Sequence, residues 1–434
     1  MSSAPSADAL LARYRARRTF QPPAAWADEI IFPAYDGFSL ANVPHTVAAA
    51  LGAPLPRSAP LDAALWADAQ PQVQRVVLIL LDGLGYLYLR QLMAEDAELA
   101  AIVAELSPVD GLRPLTSVAP STTAVALTSL WTGGAPGAHG MLGTTLFLRE
   151  YSQICTLLFM RPTIGGYRMD ALLDWGFKPD EFVPMPGLAQ HLASHDLPTY
   201  QVQDRALNGT GLSRILHRGV GHPIGHISAS DWPLLLHETL RQTRGQRAYI
   251  SAYWPYVDTL GHYYGSHSRY TAAEIRAQLG MLRALLADPE LHDGQTLLLI
   301  TSDHGHEDAP HSIDLAQHAH AAPIRAAQSF GATGDNRLAL LHLRPGTLDS
   351  VTTCLDEHFS EQITYISTDE AIASGFYGPQ PHASGTRARL GDLILIPRAG
   401  WIIDDTSVGK LDLIGWHGGL SEWEMFTPLL TRLL

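Results

Sequence analysis

Residues 75–85 read RVVLILLDGLG. An apolar run this short, with no polar alternation and a stop at Asp-Gly, predicts a strand buried on both faces of a sheet. Two more runs follow the same plan. Residues 247–258, RAYISAYWPYVD, are aromatic-rich and stop at an Asp, and residues 296–306, TLLLITSDHGH, stop at Ser-Asp-His-Gly. Helical patterns lie between them. The clearest is TAAEIRAQLGMLRALLAD at 271–288. There Thr271 and Glu274 form a capping-box signature, and Ile275, Leu279, Leu282 and Leu286 recur at helical spacing. Strands alternating with helices predict an α/β fold, a mostly parallel sheet with helices on both faces. In such sheets functional groups gather beyond the carboxyl ends of the strands. All three runs end there with an acidic residue.

The 434 residues suffice for one large α/β domain with insertions, or for two to three ordinary domains. With 46% hydrophobic and 17% charged residues, the chain has ample material for a core. A formal net charge of −14 argues against a nucleic-acid platform, which would show a basic face. Cys155 and Cys354 are the only cysteines, so no disulfide framework is expected and a reducing compartment fits. The start, MSSAPSADALLARYRARRTF, has no apolar stretch long enough for a signal peptide. No run approaches the roughly 18–20 apolar residues of a membrane helix. The expectation is a cytoplasmic protein with no membrane partner.

One Asp after a strand is ordinarily a turn former or a helix cap. Three, two of them with His nearby, suggest more. Asp258 and His262 are four apart in DTLGH and share one face if a helix begins there. Asp303 and His304 are adjacent at a strand end. His417 sits in the tight turn GWHGG. Carboxylate with imidazole suits Zn²⁺, and less well Mn²⁺ or Fe²⁺. His306, His311, His318 and His320 fall in a polar stretch and are expected to be mostly solvated. Residues 120–140, PSTTAVALTSLWTGGAPGAHG, carry no charge but four Thr and two Ser, a composition that neither a solvated nor a plain core segment requires.

Five motifs in this order, LILLDGLG, PSTTAVALTSLWTGGAPGAHG, DTLGH, TSDHGH and GWHGG, resemble the alkaline phosphatase superfamily, most closely its type I phosphodiesterase/nucleotide pyrophosphatase branch. The resemblance runs from about Val76 to the C-terminus. It implies an alkaline-phosphatase-like core with two divalent metal ions, Zn²⁺ foremost. Asp258, His262 and His417 would hold one metal. Asp82, Asp303, His304 and the hydroxyl of Thr123 would hold the other. It further implies Thr123 as the nucleophile at a helix N-terminus whose backbone N–H groups, at Ala124 among others, meet the substrate anion. Thr122 would be a cap or packing residue. The expected activity is hydrolysis of small-molecule phosphate diesters or nucleotide pyrophosphate bonds through a phosphothreonine.

The chain departs from the family at one place. Nucleotide pyrophosphatases carry an asparagine about twenty residues past the nucleophile, and the count here reaches Thr144, a shorter donor; Arg149 is a second candidate. This leaves a phosphomonoesterase open. A phosphomutase of the superfamily fits less well, as those use Ser and a long insertion, and a non-catalytic metal protein fits least. No Cys/Ser-x-Pro-x-Arg motif of a sulfatase follows Pro120. Residues 305–416 contain the strand–helix–strand pattern NRLALLHLRP, LDSVTTCLDEHF and GDLILIP. They are expected to form a small α+β cap inserted in a core of residues 1–304 and 417–434. Phe159 and Tyr167, in LLFMRPTIGGYRMD, are candidates to stack on a substrate base or to pack internally.

Overall fold

The computed structural model describes residues 5–23, 26–65 and 73–434. The three apolar runs form neighbouring strands, Arg75–Leu81, Ala248–Trp254 and Thr296–Thr301, and every residue in them is buried. Arg75–Leu81 lies between the other two, parallel to both. The full sheet has seven strands in the order Arg113–Thr116, Phe426–Leu433, Thr296–Thr301, Arg75–Leu81, Ala248–Trp254, Thr199–Asp204, His222–His226. Only Phe426–Leu433 runs against its neighbours. Two apolar layers cover the two faces. One contains Val76, Leu78 and Leu80, the other Val77, Ile79 and Leu81. Alternate residues of one strand thus feed opposite layers, which is why the run shows no polar alternation.

The long helix Arg269–Leu285 packs on the second layer through Ile275, Leu279 and Leu282. It starts earlier than the sequence pattern indicates. Ser268, not Thr271, is the N-cap and accepts from the Thr271 N–H, while the Thr271 hydroxyl donates to the Gly265 carbonyl. The amino-terminal residues cover the Arg113–Thr116 edge. The Thr116 N–H donates to Phe38, and Leu10, Leu11 and Tyr14 are buried.

A second sheet of seven strands is antiparallel throughout: Ile363–Ser367, Leu393–Pro397, Leu338–Leu341, Thr333–Asp335, Thr145–Leu148, Gln153–Thr156, Arg161–Pro162. The helix Leu348–His358 accompanies it. Three of its strands come from residues 145–162, which follow the Thr123 segment directly. Among the described residues, no helix is long and apolar enough to cross a membrane.

Candidate metal centre and active site

The strand ends converge. Asp82 follows Arg75–Leu81 directly, and its N–H donates to Trp254 while its carbonyl accepts from Asp258 at 2.9 Å. Gly83 makes this approach feasible. It has φ +75°, and a Cβ there would lie 2.7 Å from Asp258 Cα. Asp258 and His262 share a face of the helix Tyr256–Tyr264, with His262 Nε2 3.3 Å from Asp258 Oδ1. Asp303 and His304 follow Thr296–Thr301 into a turn whose Gly305 sits against the Trp423 carbonyl, leaving no room for a side chain.

The uncharged segment supplies the next wall. Thr123 opens the helix Thr123–Thr132, all ten residues of which are buried. Its hydroxyls have local partners. Thr128 and Thr132 donate to carbonyls one turn back, Ser129 pairs with His139, and Ser121 donates to Gly419 in the loop that follows His417. Gly133, in the left-handed region, ends the helix. The first bonds of its ladder run from Val125 and Ala126 to Thr122. The N–H groups of Thr123 and Ala124 therefore lie outside the ladder, at the positive end of the helix.

Around His304 the geometry is tight. Its Nδ1 faces the Gly305 carbonyl at 3.0 Å, which holds the proton there and leaves the Nε2 lone pair toward the site. Nε2 lies 3.1 Å from Thr123 Oγ1, 3.4 Å from Asp82 Oδ1 and 3.4 Å from Asp303 Oδ2. Asp303 Oδ1 accepts from the N–H groups of Gly83 and His304. Tyr253 donates to Asp82 Oδ2. His262 is oriented in the same way as His304, its Nδ1 2.8 Å from the Gly415 carbonyl. His417 Nε2 is 3.5 Å from Asp258 Oδ1, and its ring stacks on His304 with centroids 3.8 Å apart.

These residues form two groups able to hold a cation, Asp258 with His262, His306 and His417, and Asp82 with Asp258 and His304. Asp258 belongs to both. Asp303 stands outside these groups but beside His304. The seven residues expected as ligands therefore meet in one place. His306 corrects the expectation that it is solvated. It is 5% exposed, with Nε2 2.7 Å from Asp258 Oδ1 and Nδ1 3.2 Å from Ser266 Oγ. With both nitrogens engaged, it braces Asp258. The signal was its place two residues beyond His304 in TSDHGH. His311 and His320 are exposed and His318 half-buried.

The electrostatics fit divalent cations. Burial, with Asp303 and Asp258 close by, pushes the Asp82 carboxyl well above its usual range. Burial also works to raise Asp258, but His262, His306 and His417 outweigh it and hold that carboxyl well below the usual range. Burial lowers His306 to about 4 and, with His304 nearby, holds His417 well down, so burial favours the neutral form of both imidazoles. Buried Asp82 Oδ1, Asp303 Oδ2 and His417 Nδ1 have no hydrogen-bond partner. Carboxylates and imidazoles gathered with free lone pairs are a donor set for a metal such as Zn²⁺.

A cavity of about 810 Å³ opens over this centre, lined by Asp82, Thr122, Thr123, Asp258, His262 and His417 on its polar side. Leu127 and Trp131, one and two turns beyond Thr123, continue its wall. Thr144 lines it too, its hydroxyl 2.9 Å from that of Thr122. Phe159 lines the cavity, whereas Tyr167 packs its edge on Trp175 and Arg149 is exposed on the surface.

No curated protein matches this sequence. The fold is similar to that of murine ectonucleotide pyrophosphatase / phosphodiesterase 5, with TM-score 0.60 and 16% identity over 83% of this chain and 88% of that one. The human protein of the same name gives 0.61 and 17% over the same shares. Phosphonoacetate hydrolase from Sinorhizobium meliloti 1021, in complex with phosphonoformate, gives 0.56 and 18% over 85% of this chain and 92% of that one. Residues 76–162 and 184–420 match the family described as type I phosphodiesterase / nucleotide pyrophosphatase, a span that takes in Asp82, Thr123, Asp258, His262, Asp303, His304 and His417. The chain is a hydrolase belonging to that family.

Proposed function

We propose that this protein is a two-metal phosphoester hydrolase in which Thr123 is the nucleophile and the preferred substrates are phosphate diesters or pyrophosphate-type bonds. The observation that carries the reading is the Thr123 hydroxyl at a helix N-terminus, 3.1 Å from His304 Nε2, which itself lies 3.4 Å from both Asp82 Oδ1 and Asp303 Oδ2. In this reading Asp258, His262 and His417 hold one ion, braced by His306, and Asp82, Asp303, His304 and Thr123 hold the other. Two bound divalent ions would lower the pKa of the threonine hydroxyl and offset charge on the entering and leaving oxygens. Thr123 Oγ1 then forms a bond to phosphorus as the bond to the leaving oxygen breaks. Water later cleaves the phosphothreonine and restores the hydroxyl. The N–H groups of Thr123 and Ala124 are aimed at the non-bridging oxygens, with the Thr144 hydroxyl as the candidate side-chain donor.

The charge around Thr123 supports a diester. No basic residue lies between Arg113 and Arg149 in the sequence. The basic side chains lining the cavity, Arg161 and Lys410, come from the second sheet and from the 305–416 region, which in this reading is the cap that shapes the pocket. A diester brings one negative charge and a second substituent, for which the cavity has room. The test is kcat/KM for matched aryl diester and monoester substrates on zinc-loaded enzyme. A diester preference is expected. A monoester preference of tenfold or more, about 1.4 kcal/mol of transition-state binding, would overturn it in favour of a phosphomonoesterase.

A further inference from the structure

The second sheet delivers one carboxylate to the phosphate side of the cavity that the metal ligands do not use. Asp335 ends the strand Thr333–Asp335 and lines the cavity with Thr122, Thr123, Thr144 and His417. Its two oxygens accept from the Thr144 N–H at 3.3 and 3.2 Å. Thr144 in turn bonds the hydroxyl of Thr122, the residue before the nucleophile. Asp335 is held in place from both sides. A side chain at Gly143 would meet its Oδ2 at 3.2 Å, and one at Gly418, next to His417, would meet its Cβ at 3.1 Å. The adjacent cation in sequence does not neutralise it, because Arg337 is buried between Glu424 and Glu307. Burial raises the Asp335 carboxyl to about 6, against the hydrogen bonds from Thr144 and Thr122, so it is ionised at pH 8.

A fixed negative charge beside an anion-binding site is unfavourable in proportion to the charge on the anion. A hydroxyl has a single proton, and Thr122 and Thr144 can turn theirs toward Asp335 instead of toward a phosphate. Both effects weigh more heavily on a dianion. We propose that Asp335 is a charge filter: its carboxylate, placed between Thr144 and the His417 turn, sets the site for phosphoryl groups carrying one negative charge and disfavours dianionic phosphate. The inference rests on the phosphoester reading and names the residue that would set its diester preference.

The test compares wild type with Asp335→Asn, which keeps an acceptor for the Thr144 N–H, and with Asp335→Ala, which does not. Two quantities are read at pH 8 on zinc-loaded protein. One is the ratio of monoester to diester kcat/KM for matched aryl substrates. The other is the affinity for inorganic phosphate by calorimetry, which needs no turnover. In both variants the ratio is expected to rise tenfold or more, and phosphate to bind at least tenfold tighter. A ratio and an affinity within twofold of wild type in Asp335→Asn would overturn the inference. So would a decrease in either, as expected if the carboxylate instead held a cation that binds phosphate. A change in Asp335→Ala alone would trace to the lost Thr144 bond and would also overturn it. If wild type turns over neither ester, the phosphoester reading fails, and phosphate affinity alone still decides the role of Asp335.

Discussion

Asp258 is the residue on which the site depends most. It is shared by both candidate cation groups, and its carboxylate faces His262, His306 and His417. His306 Nε2 donates to that carboxylate at 2.7 Å, and its Nδ1 is tied behind by Ser266. His306→Gln should therefore weaken metal binding by roughly ten- to a hundredfold, the usual cost of losing a group that orients a ligand. Titration with a competing chelator reads this directly, and an unchanged affinity would show that Asp258 needs no brace. Thr123→Ala should cost on the order of a thousandfold or more in kcat with the fold retained. Thr122→Ala removes a bond to Thr144 but no side-chain cap bond, and should cost less than about tenfold. Equal losses would place the nucleophile wrongly. Most of these residues are legible in the sequence because strand-end acids and Asp-x-x-x-His put their chemistry into local spacing. Asp335 is not, because its partner Thr144 lies 191 residues away, and His306 shows only through its place two residues beyond His304, since its partner Asp258 lies 48 residues away.

At the scale of elements, the loop after Arg75–Leu81 and the helix Thr123–Thr132 carry the site by opposite means. The loop works through absence of a side chain at Gly83, where positive φ and the Asp258 backbone leave no space. Gly83→Ala should destabilise the protein by at least about 1 kcal/mol. It should also lower bound metal, because Asp82 and Asp258 would be forced apart. Thermal unfolding together with metal content checks this, and a variant with wild-type values for both would refute the close-approach account. The helix works through burial on every side, and its uncharged sequence follows from that. The hydroxyls of Thr128 and Thr132 bond backbone carbonyls and that of Ser129 bonds His139. The strands and the long helix are legible because apolar runs and helical spacing report burial directly. The Ser268 cap is less so, because Thr271 mimics a capping residue while its hydroxyl closes a tertiary bond to Gly265. The short strands Thr145–Leu148, Gln153–Thr156 and Arg161–Pro162 are half-buried and joined by turns, so no apolar run marks them.

The whole molecule joins a parallel sheet that supplies ligands to an antiparallel sheet that supplies the opposite cavity wall. The helix of Thr123 leads from one to the other through His139. That imidazole is fully buried, accepts from the Met141 N–H at Nδ1 and faces Ser129 at Nε2, and burial lowers it to about 3. In the unfolded chain it would titrate near 6.5. Protonation therefore favours unfolding. Its contribution to stability is complete above about pH 6.5 and declines by up to about 1.4 kcal/mol per pH unit as pH falls toward 3. Denaturant unfolding of His139→Gln should show a shallower loss of stability between pH 6.5 and 4.5 than wild type, and parallel profiles would exclude this source. The central claim concerns the seven residues that meet at the strand ends, and elemental analysis of the purified protein tests it most directly. The account predicts two transition-metal ions per chain, most of them zinc, whose removal by a chelator abolishes diester turnover and whose return restores it. Protein without bound metal, turning over diesters regardless of chelator, would contradict it.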